Sequence, residues 1–347
     1  MAILQLVKVL GTSLIAFLVA ILGTPLLVKF LAKFQLHKQI RTTESAPIYS
    51  QLHKDKKGTP TAGGIIIWLT VIGLAVLFWI LSFFFDGFWG YLNFIDRGQT
   101  YLPLFSMAVA ALLGLFDDVL GIFQIGPRGG GLNMRQKLLM YGAVALIGAL
   151  WFYYRLEWDV ISVPLIGTFD IGWLYVPIFV FIITASAFSA NEADGLDGLA
   201  GGVLLFAFAA LTTVAFALGR YQLATLGGAI IGALLAFLWF NIYPARFFMG
   251  DTGAMSLGIT MGVIAMLTNT ALLLPFFAPI LVLESASVII QLFSKKFFGR
   301  KIFLSTPIHH HFEALGWHET KVTMRFWIIS VIFMALGLII FFLNRFI

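Results

Sequence analysis

Long apolar segments follow one another along the whole chain, separated by short polar connections. A helix needs roughly 20 apolar residues to span a bilayer, and about ten segments reach that length, near residues 8–32, 61–85, 101–119, 136–154, 173–190, 199–219, 222–243, 252–270, 274–294 and 325–343. Residues 156–172 instead alternate apolar positions around Pro and Gly, which is typical of a small β-hairpin. The pattern predicts an all-α polytopic membrane protein of about ten transmembrane helices with one small outward-facing β-hairpin.

The composition supports this interpretation. Hydrophobic residues make up 60% of the 347 positions and charged residues only 11%, which excludes a soluble domain. There is no cysteine, so disulfides and thiolate metal sites are excluded. The first segment continues to about Phe34 without a small-residue cleavage pattern, so we expect a retained span instead of a removed signal peptide. No internal repeat is visible, and we expect one integral membrane domain over residues 1–347.

The basic residues indicate how the chain is threaded through the membrane. When successive spans alternate in direction, one set of connections holds most of the 22 Lys and Arg residues, and the other keeps only Lys8, Arg97, Arg155, Arg220 and Arg345. Cytoplasmic connections are rich in Lys and Arg, so we expect the first set to be cytoplasmic and both termini to lie outside. The net charge of +6 follows from this topology, and no nucleic-acid partner is expected.

Acidic residues collect at span ends on the same predicted cytoplasmic face, namely Asp117, Asp118, Asp194, Asp197 and Asp251. A charge buried in hydrocarbon without a partner is costly, and Asp117 and Asp118 are adjacent. Simple capping is one explanation, although the carboxyl end of a helix disfavours negative charge. The functional explanation is a pair of oxygen ligands or bases beside a hard cation, which is usually Mg²⁺ where phosphates are involved.

Two glycine-flanked motifs carry the other acidic residues. In DGLDG, Asp194 and Asp197 are three residues apart and are expected to share a face once the next helix begins. Asn191 and Asp194 suit a helix amino terminus, where phosphate groups bind, although capping alone explains half of the pattern. Asp251 precedes the eighth span, where an N-cap is a good explanation. A functional role becomes the better explanation because the other carboxylates converge on the same face.

The connection before the second span, KKGTPTAGG, has lysines, hydroxyls and turn-forming residues but not the order of a P-loop. Lys56 suits a diphosphate, with hydrogen bonds from Thr59 and Thr61. An equally good alternative is that Lys54, Lys56 and Lys57 are topogenic lysines near anionic lipid.

The HHH sequence at residues 309–311 lies in a predicted inward loop. The chain offers no spaced partner with the geometry of a zinc site. We expect His309, His310 and His311 to serve as hydrogen-bond donors or cationic clamps beside a phosphate.

The ninth span carries a carboxylate near its middle, Glu284. An intramembrane carboxylate is a functional candidate, and a hydrogen bond between helices is the equally good alternative. Pro275 and Pro279 predict that this span is kinked or broken.

Taken in order, KKGTPTAGG, FDD, DGLDGLA, FNIYPARFFMGDTG, SVIIQ and GRKIFLSTPIHHHFEALGW resemble the phospho-N-acetylmuramoyl-pentapeptide transferases, a family of the polyprenyl-phosphate N-acetylhexosamine-1-phosphate transferase superfamily. The resemblance covers nearly the whole chain, and PIHHHFE followed by Gly-Trp is its most specific part. It implies a ten-span protein of the bacterial inner membrane with its active site on the cytoplasmic face. It also implies Mg²⁺-dependent transfer of phospho-MurNAc-pentapeptide from UDP-MurNAc-pentapeptide to undecaprenyl phosphate, giving lipid I and UMP, and it suggests a homodimer.

The resemblance also implies residue roles. Asp251 would be the metal ligand, and Asp117 would be the base acting on the lipid phosphate, with Asp118 beside it. Asp117 and Asp118 are further candidate metal ligands. Asp194 and Asp197 would bind the nucleotide or support the metal site. The implied catalytic set is Asp117, Asp118, Asp251 and His310. The remaining donor contacts would come from Lys56, Thr61, Asn191, Asn241, Phe248, His309, His310 and His311.

Three positions depart from the family pattern. Glu192 adds a charge to the DGLDG motif, Phe188 replaces an Asn, and Gly121 replaces a Lys. A donor and a cation are therefore missing near the diphosphate, and Lys137 or Arg135 is expected to compensate.

Several alternatives remain open. We favour direct attack by the lipid phosphate over a covalent intermediate on Asp117. A sister transferase that uses UDP-GlcNAc is the runner-up, and a transporter with an aspartate proton relay is a weaker alternative.

Overall fold

The computed structural model describes residues 2–34, 56, 58–127 and 130–345. Five of the basic residues predicted to be cytoplasmic, Lys38, Arg41, Lys54, Lys57 and Arg128, lie outside the described residues.

The described chain is mostly helical. Its helices are α1 (Ala2–Lys33), α2 (Ile65–Phe84), α3 (Phe88–Leu92), α4 (Tyr101–Ile122), α5 (Met134–Arg155), α6 (Tyr175–Glu192), α7 (Leu199–Ala217), α8 (Tyr221–Asn241), α9 (Gly250–Leu267), α10 (Leu274–Phe277), α11 (Pro279–Phe298), α12 (Ile308–Ala314) and α13 (Glu319–Leu343). Within the described ranges, nine helices are long and apolar enough to cross a membrane, or ten spans if one bent pair counts as a span. The prediction of an all-α polytopic membrane protein is confirmed.

The ninth predicted span is the bent pair. The segment Ala271–Phe277, which ends in α10, meets α11 at an angle of 94°. Pro279 is the first residue of α11, a position that proline favours because its missing N–H has no helical partner there. The predicted break in this span is confirmed.

A two-stranded antiparallel hairpin follows α5, as the sequence predicts. Strand β1 (Val160–Val163) pairs with β2 (Gly167–Asp170), with Val160 opposite Asp170. The hairpin rests on helix ends, because the Ser162 amide donates to Asn269 Oδ1 at 2.9 Å and the Leu165 amide donates to Asn344 Oδ1 at 2.7 Å. Asn269 follows the carboxyl end of α9, so the hairpin lies at the opposite end of the bundle from Asp251.

Helix α9 forms the centre of the bundle, where it packs mainly against α4 and α6. Glycine allows both approaches: a Cβ on Gly114 would lie 2.4 Å from the Asp251 carbonyl oxygen, and one on Gly258 would lie 2.7 Å from the Ser186 carbonyl oxygen. The outer helices α1 and α13 expose large apolar side chains on the bundle surface, as lipid-facing helices do. The contact at Gly114 brings the carboxyl end of α4 beside the amino end of α9.

We predict that Gly114→Ala destabilises the bundle, because the added methyl group forces α4 away from α9. Overpacking of this kind costs about 1–3 kcal/mol. The measurement is thermal unfolding of the purified protein in detergent. Gly142→Ala is the matched control, since a Cβ on Gly142 would meet nothing within 4 Å. Equal melting temperatures for the two variants would contradict the close approach.

Candidate active site

Asp118 caps the amino end of α9 from a neighbouring helix. Its Oδ1 accepts a hydrogen bond from the Asp251 amide and its Oδ2 accepts one from the Thr252 amide, both at 3.0 Å. The residue at the N-cap position of α9, Met249, provides no side-chain cap. A carboxylate at a helix amino terminus is favourable because that end carries partial positive charge. The N-cap explanation for Asp251 is therefore wrong: Asp251 lies inside α9, and Asp118 does the capping.

Asp117 and Asp251 share one cation, the ammonium group of Lys137. Lys137 Nζ lies 2.7 Å from Asp117 Oδ2 and also contacts Asp251 Oδ2. Each carboxylate has a second partner on its other oxygen: the Leu132 amide donates to Asp117 Oδ1 at 2.5 Å, and Asn191 Nδ2 donates to Asp251 Oδ1. The exposed fractions of the Asp117 and Asp251 side chains are 5% and 21%, so the cluster opens on the side of Asp251.

Four helix ends build this cluster. Asp117 lies in the last turns of α4, Asn191 in the last turn of α6, and Asp251 in the first turn of α9. Lys137 lies in the first turn of α5, whose start is set by a capping box between Asn133 and Gln136. The predicted convergence of span-end carboxylates is thus observed for Asp117, Asp118 and Asp251.

The DGLDG motif forms a loop between α6 and α7. Helix α7 begins only at Leu199, after Gly198 with a φ of 74°, so the expectation that Asp194 and Asp197 share a helix face is wrong. Asp194 Oδ2 accepts from the Gly250 amide at 3.0 Å, and Asp197 Oδ2 accepts from the Ala245 amide at 2.9 Å. Both carboxylates therefore fasten the connection that leads into α9.

Lys56 pairs with two carboxylates, Asp197 Oδ1 at 2.6 Å and Glu319 Oε2 at 2.5 Å. Its Nζ also lies 5.7 Å from the centre of the Phe248 ring. Burial disfavours the charge on Lys56, but the carboxylates of Asp197 and Glu319 outweigh that effect and raise the pKa of its ammonium group. Lys56 therefore stays protonated at neutral pH and links the connection before α2 to the start of α13.

Two further residues of the predicted donor pocket are buried. Asn241 accepts from the Gly198 amide at 3.1 Å and donates to the Phe247 carbonyl oxygen at 2.8 Å. Thr61 is also buried, in a segment whose neighbour Pro60 accepts from the Phe248 amide at 2.8 Å. The Pro60–Phe248 contact holds the segments before α2 and α9 against each other, and Asn241 joins the segment before α9 to the start of α7.

The HHH sequence is part of the short helix α12, not of a loop as expected. Its three imidazoles meet different partners. His309 Nδ1 lies 2.9 Å from Glu284 Oε2, and His310 Nδ1 lies 2.6 Å from Glu313 Oε2. His311 Nδ1 accepts from the Leu304 amide at 3.2 Å. His309 also packs on Gly195 of the DGLDG loop, so α12 and the acidic cluster contact the same loop.

Several site residues could not be singled out from sequence. Lys137 was expected only as one of two substitutes for a missing lysine, because nothing in the sequence links it to Asp251, 114 positions away. Glu313 ends the PIHHHFE motif but was assigned no role, and Glu319 carried no signal beyond its charge. Glu284 stood out because it interrupts an apolar span, although its histidine partner could not be predicted. Among the described residues, no group of three or more His, Asp or Glu side chains has the geometry of a metal site.

The fold and this polar cluster define a class of polytopic membrane protein with acidic residues gathered at helix ends. The model of a protein family described as glycosyl transferase family 4 matches residues 100–269 of this chain.

Relatives match over almost the full length. The phospho-N-acetylmuramoyl-pentapeptide-transferase of Anoxybacillus flavithermus is 36% identical over 335 residues, covering 96% of this chain and 97% of the relative. The protein of the same name from Geobacillus thermodenitrificans is 36% identical, covering 94% of this chain and 95% of the relative. The one from Bacillus subtilis is 35% identical, covering 96% of this chain and 97% of the relative. The chain belongs to the phospho-N-acetylmuramoyl-pentapeptide-transferase family.

We predict that Asp118→Ala lowers the free energy of unfolding by about 2 kcal/mol, because two backbone amides of α9 lose their acceptor. Thermal unfolding in detergent measures the loss. Asp86→Ala is the control, since Asp86 is exposed in the loop between α2 and α3. A melting temperature unchanged by Asp118→Ala would show that the α9 terminus does not depend on this cap.

Proposed function

We propose that this protein transfers phospho-MurNAc-pentapeptide from UDP-MurNAc-pentapeptide to undecaprenyl phosphate, forming lipid I and UMP in peptidoglycan synthesis. The observation that carries the proposal is the 36% identity to phospho-N-acetylmuramoyl-pentapeptide-transferases over nearly the whole chain. The cluster of Asp117, Lys137 and Asp251 at helix ends supports it, because such a reaction needs cations and carboxylates at the membrane boundary.

The electrostatics of the reaction match the cluster. Both substrates carry phosphate, so the protein must bring two anions together, and phosphoryl transfer depends on charge neutralisation and positioning. Lys137 provides a cation already held between two carboxylates. Because the acceptor is a lipid, its phosphate stays at the height of the head groups, which is the height of a span end such as that of Asp117.

The cluster suits Mg²⁺. Magnesium is usually bound by one or two carboxylates, with substrate phosphates and water completing its octahedron, and Asp117 and Asp251 already converge on one cation, Lys137. Asp251 would hold the ion, and Asn191 would orient the Asp251 carboxylate through its hydrogen bond. Bound there, Mg²⁺ would offset the negative charge of the phosphates.

The protein residues divide the chemistry between them. Asp117 acts as the base for the acceptor phosphate, and Asp118 acts by holding the start of α9. An oxygen of the lipid phosphate attacks the phosphorus bound to the sugar, the bond from that phosphorus to the bridging oxygen of UMP breaks, and UMP leaves. A phospho-sugar adduct trapped on the protein without lipid would contradict direct attack.

The contacts proposed for the donor substrate, UDP-MurNAc-pentapeptide, follow from the positions of the predicted pocket residues. Lys56 and Phe248 lie together beside the connection into α9 and offer a cation and a ring to the uridine diphosphate. Asp194, Asp197, Asn241 and Thr61 shape that connection, and His310 and His311 face the phospho-sugar. The reaction takes place on the cytoplasmic side of the bacterial inner membrane with both termini outside, in a homodimer.

The decisive experiment is UMP release by the purified protein supplied with UDP-MurNAc-pentapeptide and undecaprenyl phosphate. We expect release that needs both substrates, stops with EDTA and returns with Mg²⁺. UDP-GlcNAc in place of the donor is the matched control, because a sister transferase would use it. UMP release from UDP-GlcNAc but not from UDP-MurNAc-pentapeptide would favour that transferase. Solute transport into liposomes without UMP formation would favour a transporter.

We predict that Lys137→Ala lowers kcat/KM for UMP release at least 100-fold, because it leaves two carboxylates facing each other and the phosphates without a fixed cation; losses of about 10²–10³ follow removal of one electrostatic stabiliser. Arg135→Ala is the matched control: Arg135 lies on the same turn but is exposed. Similar activity in the two variants would remove Lys137 from the proposed mechanism.

A further inference from the structure

Glu284 is a buried carboxylate that the proposed chemistry does not use. It lies in α11, and its side chain is 0% exposed. Its Oε2 lies 2.9 Å from His309 Nδ1 and 3.5 Å from the His309 amide, while Oε1 has no hydrogen-bond partner among the described residues. An apolar residue would avoid the cost of burying this carboxylate. The contact with His309 is therefore what Glu284 contributes.

The His309 ring is confined between Glu284 and the DGLDG loop. Its side chain is 0% exposed. On the side away from Glu284, a Cβ added to Gly195 would lie 2.2 Å from His309 Nε2 and 2.7 Å from His309 Cε1. Backbone and ring thus touch directly, and only glycine fits at position 195. The His309 imidazole therefore connects Glu284 of α11 to Gly195 of the DGLDG loop.

This loop determines where the acidic cluster lies. Asp194, next to Gly195, accepts a hydrogen bond from the Gly250 amide at 3.0 Å. Gly250 immediately precedes Asp251, whose carboxylate contacts Lys137. A displacement of His309 would move the loop backbone and, through Asp194, the first turn of α9.

We propose that Glu284 is a positioning residue that acts through His309. The reach of its side chain holds the His309 ring against Gly195, and the ring keeps the DGLDG loop and Asp251 in their working geometry. Glu284 touches no substrate. The proposal rests on the proposed function for its activity measurement.

Two alternatives make different predictions for conservative variants. If Glu284 acts by its charge or as a proton carrier, Glu284→Asp keeps the function and Glu284→Gln loses it. If Glu284 acts by reach, Glu284→Gln keeps it and Glu284→Asp, shorter by one methylene, loses it. If Glu284 only stabilises the fold, activity follows the melting temperature in both variants.

The experiment measures kcat for UMP release and the melting temperature for both variants. We expect Glu284→Gln to stay within roughly tenfold of the parent protein and Glu284→Asp to lose about 10²-fold in kcat, the scale of a 1 Å misplacement, with little change in melting temperature. Glu157→Gln and Glu157→Asp are matched controls, since Glu157 precedes the hairpin at the opposite end of the bundle. Higher activity in the Asp variant, or losses that follow the melting temperature, would overturn the proposal.

A second measurement does not need the activity. In ¹⁵N-histidine-labelled protein, the His309 ring N–H, assigned with His309→Gln, should exchange slowly with solvent because the ring is buried and hydrogen-bonded to Glu284. We expect slow exchange in the parent protein and in Glu284→Gln, and fast exchange in Glu284→Asp. Fast exchange in the parent protein would overturn the positioning role. Slow exchange without any UMP release would instead contradict the proposed function.

Discussion

The site depends on the contact between the carboxyl end of α4 and the amino end of α9. Gly114 allows the two helices to approach, and the approach brings carboxylates from both into a region with little solvent. Such charges must be paired or hydrogen-bonded. The chain meets this requirement in two ways: Asp118 binds backbone amides of α9, whereas Asp117 and Asp251 share Lys137.

This division of partners separates the part of the cluster that is structural from the part that the proposed reaction would use. Both oxygens of Asp118 accept hydrogen bonds from backbone amides of α9, so its role is to fix the start of that helix. The ammonium group between Asp117 and Asp251 is held by charge on a flexible side chain. In the proposed reaction, Lys137 would neutralise part of the charge of an incoming phosphate while it stays beside the two carboxylates, as a reaction between two anions requires.

The sequence predicted the elements well because bilayer thickness and proline chemistry act locally: the ten spans, the hairpin and the break at Pro279 all follow from short windows. It also placed the acids on one face. It could not separate Asp117 from Asp118, because neighbouring residues on a helix differ by roughly 100° in direction, and only the partner helix decides which one caps. It could not show that DGLDG precedes its helix, because the start of that helix depends on the left-handed conformation of Gly198. Nor could it show that Lys137 faces Asp251, because that contact depends on how two helices pack.

The HHH sequence shows most clearly why a motif is not a uniform set of ligands. Adjacent residues on the short helix α12 point in different directions, so one imidazole faces the bundle interior and meets Glu284, while the next finds Glu313 one turn later. The segment HHHFE thus supplies its own carboxylate for His310, but His309 depends on a residue 25 positions earlier in the chain. That dependence couples α11, beyond the bend at Pro279, to the loop that holds α9, so the broken ninth span is part of the site's framework.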